Sequence, residues 1–328
     1  MGFVNFFYTL LYPLEWLISW IMWLWHWLFV NVLHMPSGSS FAWCLAIVFL
    51  TFTVRALIFP LFARQMRSMN KMQAIQPEMQ KIQKKYKGKT DAASREAMSR
   101  ETMKLYRQNN VSPTSSCLPS LVQAPIFMSL YNVLYKLSRI ATGQEHEIGA
   151  FTKPVAREIE NTVFINVKLS DLFNQTQGAG KWTIGIFVAL MCLTMWFQQF
   201  YNMRVNMPEA AKQGSQWKMQ QSMTYVFPIM YIFSGIIAPF GVLLYWLTNN
   251  LWTVGQTIWQ INAFPTAGSK AAAKKAKRDH DREEARRKKE GLPSIEEEAL
   301  AKAQQEKLER ERNGFQRQQP VRKKNRRR

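Results

Sequence analysis

Arg55 is the one charged residue in the run 41–62, FAWCLAIVFLTFTVRALIFPLF. A helix of that length covers about 30 Å, the thickness of a bilayer's hydrocarbon core. A guanidinium near its middle costs several kcal/mol if it faces lipid. Unless it snorkels along roughly 12 Å of helix to the boundary, it faces a partner, a protein interior or a water-filled cavity. Other polar groups stand inside later apolar runs: Gln123, Ser129, Asn132, Thr248, Asn249, Asn250 and Gln256. These runs carry no Asp or Glu, so they offer Arg55 no carboxylate. If the polar groups converge with Arg55, they make a hydrated, positively charged concavity that attracts anionic or strongly polar groups of another chain. That is binding, without covalent chemistry. There is no Gly-rich phosphate loop, nucleotide-binding run or metal cluster. His26, His34, His146 and His280 are scattered. Cys44, Cys117 and Cys192 are odd in number, lie in or beside apolar runs and read as packing residues. No catalytic residue, cofactor or metal is expected.

The elements that must position these groups follow from composition. The chain has 328 residues, 47% of them hydrophobic, with 12 Trp, 21 Phe, 17 Met and a net charge of +21. Very apolar blocks alternate with very basic ones, the profile of a multispanning membrane protein with charged loops. Residues 1–40 hold no Lys or Arg, so no positively charged signal-peptide start is visible. Residues 3–33 are apolar but contain Pro13, Glu15 and the tryptophans Trp16, Trp20, Trp23 and Trp27. Those spacings put the four rings on one helical face. A helix lying in the membrane interface and a true span both fit this block. Spans are expected at 41–63, 117–137, 182–200, 219–237 and 240–262. Residues 238–241, APFG, tie the last two as an antiparallel pair.

Residues 64–110 carry 12 Lys/Arg against four Asp/Glu. Met66, Met69, Met72, Ile75, Met79, Ile82 and Tyr86 recur at helical intervals. A second helix from about 92 to 108 would close a hairpin. Its methionines suit either the seam between the two helices or contact with a partner, and Lys84 and Lys85 add to its basic surface. Residues 138–181 are neutral overall and 201–218 slightly basic. The tail 263–328 is basic, has no apolar core and is expected to be largely disordered; Arg322, Lys323, Lys324, Arg326, Arg327 and Arg328 close it as a run suited to RNA or an anionic surface. By charge, the hairpin, the 201–218 loop and the tail are cytoplasmic, and 138–181 is outside. The fold class is therefore an all-α polytopic membrane protein.

TFTVRALIFP (51–60), MNKMQAIQPEMQ (69–80), CLPSLVQAPIF (117–127) followed by Leu130-Tyr131, and the Leu-Tyr-Trp and Asn-Asn of 239–256 occur in order and at fitting separations. In these stretches the chain resembles the YidC/Oxa/Alb family of membrane protein insertases, nearest to its members from high-GC Gram-positive bacteria. The resemblance covers roughly 3–262. Ser116 stands where the family often has Gly. The resemblance implies a five-helix transmembrane core around a hydrophilic groove open to the cytoplasm and laterally to lipid, with Arg55 as the groove arginine. It also implies a cytoplasmic helical hairpin and, at 1–40, an N-terminal interfacial helix and turn. The groove would comprise Arg55, Gln123, Ser129, Asn132, Tyr245, Trp246, Thr248 and Asn249, with Tyr245 and Trp246 as an aromatic wall. The implied partners are nascent membrane protein clients, the SecYEG translocon, the ribosome through its RNA, and anionic phospholipids. The rival readings are a secondary transporter or channel with Arg55 as an anion site, and a ribosome-tethering membrane protein. No internal repeat of the kind common in transporters is visible.

Overall fold

The structure is a computed structural model, and it describes residues 2–36, 40–112 and 118–312. It is predominantly helical and divides into two compact units, 1–272 and 273–328. In chain order the first unit holds α1 (Gly2–Asn31), α2 (Ser40–Ala74), α3 (Gln76–Lys85), α4 (Ala92–Gln108), α5 (Leu118–Thr142), α6 (Lys153–Glu160), the strands β1 (Val163–Phe164) and β2 (Val167–Lys168), α7 (Ala179–Val205), α8 (Gly214–Ile237) and α9 (Phe240–Ala263). Two helical segments, Phe41–Ala74 and Ala179–Val205, are long and apolar enough to cross a membrane by length and composition.

α2, α5, α7, α8 and α9 pack around one core. α9 lies against both α7 and α2, α8 against α7, and α1 against α2 and α5. Trp43, Ile47, Leu50, Leu130, Leu134, Phe240 and Leu243 are almost completely buried in it. Leu11, Glu15, Ile18, Met22, His26 and Phe29 form the buried stripe of α1. Trp16, Trp20 and Trp27 lie on its exposed side, each more than two-fifths accessible. These three tryptophans occupy the face that α2 and α5 leave uncovered, and Trp23 is partly buried.

Residues 138–181 are more structured than a loop. α5 continues to Thr142, α6 folds back on it, and β1 pairs antiparallel with β2. Phe151, Ile159, Val167 and Leu169 join the main core. The backbone N–H groups of Phe240 and Gly241, unpaired within the first turn of α9, donate to the carbonyls of Asp171 and Leu169 at 2.9 and 2.8 Å. This segment thus plugs one end of the bundle and fixes the start of α9. A Cβ at Gly241 would stand 3.2 Å from Leu134 Cδ1 and 3.3 Å from the Leu169 carbonyl oxygen. Gly241→Leu is therefore expected to cost about 1–3 kcal/mol through overpacking, measured as a lower unfolding temperature in detergent.

The first arm of the hairpin does not begin as a separate helix near residue 64. α2 is continuous from the core to Ala74, through Pro60, and breaks at Ile75. Pro77 lies in the first turn of α3, where a missing N–H does no harm, so it starts a helix there. Asp91 caps α4 by accepting from Ser94 N at 2.8 Å. The hairpin seam is Ile75, Met79, Leu105 and Val111 with Met72, Ile82 and Tyr106 beside them. Lys85 pairs with Glu101, which also accepts from the Tyr86 hydroxyl at 2.9 Å. These hydrogen bonds, that from Lys85 foremost, hold the Glu101 carboxyl below the usual carboxylate range.

In the second unit the expectation of a largely disordered tail does not describe residues up to 312. α10 (Lys270–Glu290), which begins in the first unit, leads to α11 (Ile295–Arg312), and Arg287 and Glu298 join them across the corner at 2.6 Å. Hydrogen bonds from Lys302 and Arg287 draw the Glu298 carboxyl down to about 2. α11 has no buried residue. Alanine, lysine and glutamate favour helix by propensity and i,i+4 pairing without needing burial. The run 322–328 lies outside the described residues.

Candidate functional site

Arg55 projects from α2 toward α9 and is 6% exposed. Its Nε donates to Asn249 Oδ1 at 2.7 Å, and an Nη donates to Thr253 Oγ1 at 3.2 Å. Its guanidinium carbon lies 5.3 Å from the centre of the Phe62 ring. These described partners are all uncharged, so the positive charge is not neutralised by a carboxylate. α9 is suited to hold the arginine because Tyr245, Asn249 and Thr253 recur every four residues and share one face. Thr253 in turn donates its hydroxyl to the Asn249 backbone carbonyl at 2.7 Å.

Around this cation lies a cavity of about 470 Å³ lined from α2, α5, α8 and α9. That is room for several water molecules. α5 supplies Gln123 and Phe127, α8 supplies Tyr231, and α9 supplies Tyr245 and Trp246. Gln123 Nε2 donates to the Tyr245 hydroxyl at 2.6 Å, while Gln123 Oε1 is buried without a partner. Phe127 stacks on Trp246 with centroids 5.1 Å apart, and Tyr231 lies 5.4 Å from Trp246. One side of the cavity is thus cationic and polar, the other aromatic. Among the described residues no group of three His, Cys, Asp or Glu could hold a metal ion. The arrangement can hold an anionic or strongly polar group and bring an apolar one against the aromatic wall.

Of the residues picked out from sequence, Arg55, Gln123, Tyr245, Trp246 and Asn249 come together here. Ser129, Asn132 and Thr248 do not line this cavity. Asn132 faces α1 and donates to Glu15 Oε1 at 3.1 Å. Glu15 is 2% exposed and also lies 3.6 Å from Lys136 Nζ. A polar residue between helices can serve a neighbouring helix instead of a cavity, and sequence position alone does not say which. Ser129 is fully buried and its hydroxyl has no partner. Thr248 returns its hydroxyl to the Leu244 carbonyl at 2.8 Å, as threonine in a helix often does. Asn250 faces α7 and donates to the Met191 carbonyl. Gln256 accepts from the Trp252 indole N–H at 3.0 Å.

Sequence reasoning missed Thr253, Phe62, Phe127 and Tyr231 as site residues. Thr253 had a signal, being four residues beyond Asn249 on the same face; Tyr231 had none. The hairpin methionines separate. Met72 belongs to the seam, whereas Met66 lies in a cleft with Arg67, Trp259 and Phe264 at the end of α9. Met69 is half-buried, Lys84 exposed, and Lys85 occupied by Glu101.

Comparison with known proteins adds an independent line. The family model for the 60Kd inner membrane protein matches residues 34–267. A membrane protein insertase YidC of Bifidobacterium longum is 54% identical over 98% of this chain and 96% of its own length. A membrane protein insertase YidC of Streptomyces avermitilis is 36% identical over 78% of this chain and 59% of its own. A solved structure described as an active YidC insertase with the first transmembrane domain resolved aligns over 74% of this chain and 46% of that one, at 25% identity and a TM-score of 0.45.

Proposed function

The chain belongs to the 60Kd inner membrane protein family and is a bacterial membrane protein insertase of the YidC type, and on that premise we propose that the Arg55 cavity is where its clients are received. The carrying observation is a buried arginine, held only by neutral partners, beside space for water and an aromatic wall. A polar or acidic segment of a nascent membrane protein is drawn to Arg55. Water in the cavity shortens the hydrocarbon path that this segment crosses. The client's apolar span then leaves sideways into lipid, driven by burial of roughly 20 apolar residues. α2 and α9 are packed together, whereas α5 and α8 share no extensive interface among the described residues, which favours exit between α5 and α8. No nucleotide takes part.

The proposed topology has five spans, α2, α5, α7, α8 and α9, with the α3–α4 arm and the C-terminus in the cytoplasm and the α6–β2 plug outside. α1 is assigned to the outer interface. Its described side-chain contacts reach α2 at Trp43, Phe49 and Thr53, α5 at Asn132 and Lys136, and the plug at Ala150. The hairpin receives clients or meets the SecYEG translocon. The basic tail contacts ribosomal RNA and anionic phospholipids through phosphate, with little sequence preference.

Reconstituted protein should insert a short single-span client into liposomes without nucleotide and pass no small anions. Anion flux without client insertion would overturn the reading. Truncation after Phe264 should weaken ribosome co-sedimentation in a salt-dependent manner and leave post-translational insertion largely intact. Unchanged co-sedimentation would exclude the tail as the main contact.

A further inference from the structure

The hydrogen-bonding polarity of the cavity is strongly one-sided. Arginine only donates, so the Asn249 atom that Arg55 meets is its oxygen, and the Asn249 NH₂ is turned away from the guanidinium. Thr253 has committed its proton to the Asn249 carbonyl and can serve Arg55 only as an acceptor. Of the five N–H groups of Arg55, two are used in these bonds. The Tyr245 hydroxyl accepts from Gln123, which leaves its own proton to give. Trp246 contributes an indole that can only donate. Against these donors the lining holds no carboxylate; Gln123 Oε1 is its buried acceptor without a partner, and the Tyr231 hydroxyl can both donate and accept.

A donor-rich, acceptor-poor cavity selects ligands rich in oxygen acceptors and poor in N–H. The geometry points to unpaired backbone carbonyls of the client as a ligand class of this site, alongside any acidic side chain. The inference rests on the cavity being the client site. Every client carries such carbonyls, whatever its side chains. They are most concentrated in the last turn of a helix, where four C=O groups lack intrahelical partners and the helix dipole adds partial negative charge. Left unpaired in hydrocarbon, each carries a desolvation penalty that Arg55, Asn249 and Tyr245 are placed to relieve. The N-terminal turn of a helix, with orphan N–H groups, meets the wrong polarity. The cavity therefore favours the C-terminal end of a client helix.

The test uses the full-length protein in liposomes and a synthetic single-span client with no Asp or Glu and an amidated C-terminus. In its last turn, successive amides are replaced either by esters, which lack the N–H and keep a carbonyl, or by alkene isosteres, which lack both. The ester client should insert nearly as well as the parent peptide. The alkene client should insert roughly tenfold more slowly although it is more apolar, as expected for lost hydrogen bonds to a charged donor. That difference should vanish in Arg55→Ala. Equal insertion of ester and alkene clients overturns the carbonyl inference. If, in that case, an acidic client still depends on Arg55, the client-site reading stands without it. If neither acidic nor neutral clients depend on Arg55, both fall.

Discussion

Arg55→Ala is expected to slow insertion of a client with an acidic leading segment by about a hundredfold, the range set by removing one partner of a desolvated charge pair. Arg55 is 6% exposed and its charge is not neutralised by its neighbours, so it attracts an incoming carboxylate more strongly than a fully solvated arginine would. Arg55→Lys should keep much of the activity. It retains the charge at that depth and loses only the two-pronged grip on Asn249 and Thr253. Arg55→Glu should be worse than Arg55→Ala, because it repels the acidic segment. The check is insertion rate in proteoliposomes at matched protein content. Equal loss in all three variants would mean that Arg55 serves folding alone.

Trp43→Ala should be the most damaging single change away from the cavity. Trp43 is 1% exposed, stacks on His26 with centroids 3.8 Å apart, and donates its indole N–H to Glu158 at 3.2 Å. It joins α1, α2 and α6 at one point. Truncation leaves a large cavity and removes one hydrogen bond from Glu158, costing about 3–5 kcal/mol. The expected readouts are a lower unfolding temperature and faster proteolysis of α1 and the plug. Trp43→Phe should recover most of the packing and not the hydrogen bond. A Trp43→Ala protein as stable as the parent would show that the plug is not anchored through this residue.

The helices were legible because apolar runs and charge blocks report on solvent directly. Arg55 and Asn249 could be joined in advance because each is costly in hydrocarbon unless it meets a polar neighbour. Asn132 shows where that reasoning ends. It is as polar as Asn249, but its partner is Glu15, carried by a helix whose position the sequence left open. Tyr231 and Phe127 were illegible as site residues for another reason. An aromatic side chain in a span is equally at home in core, lipid or cavity, and only packing decides. The helicity of α10 and α11 was discounted because they bury almost nothing; local pairs such as Arg286 with Glu283 at 2.6 Å accompany helix in charged sequence.

The most direct test of the client-receiving cavity is a double-mutant cycle between Arg55 and the acidic residues of one short client. Insertion would be measured for parent and Arg55→Ala protein, each with the acidic client and its Asp→Asn counterpart. The account predicts that Arg55→Ala costs the acidic client about a hundredfold and the neutral client about tenfold, a coupling of about tenfold between protein and client charge. Equal losses for the two clients, or none for either, would contradict it.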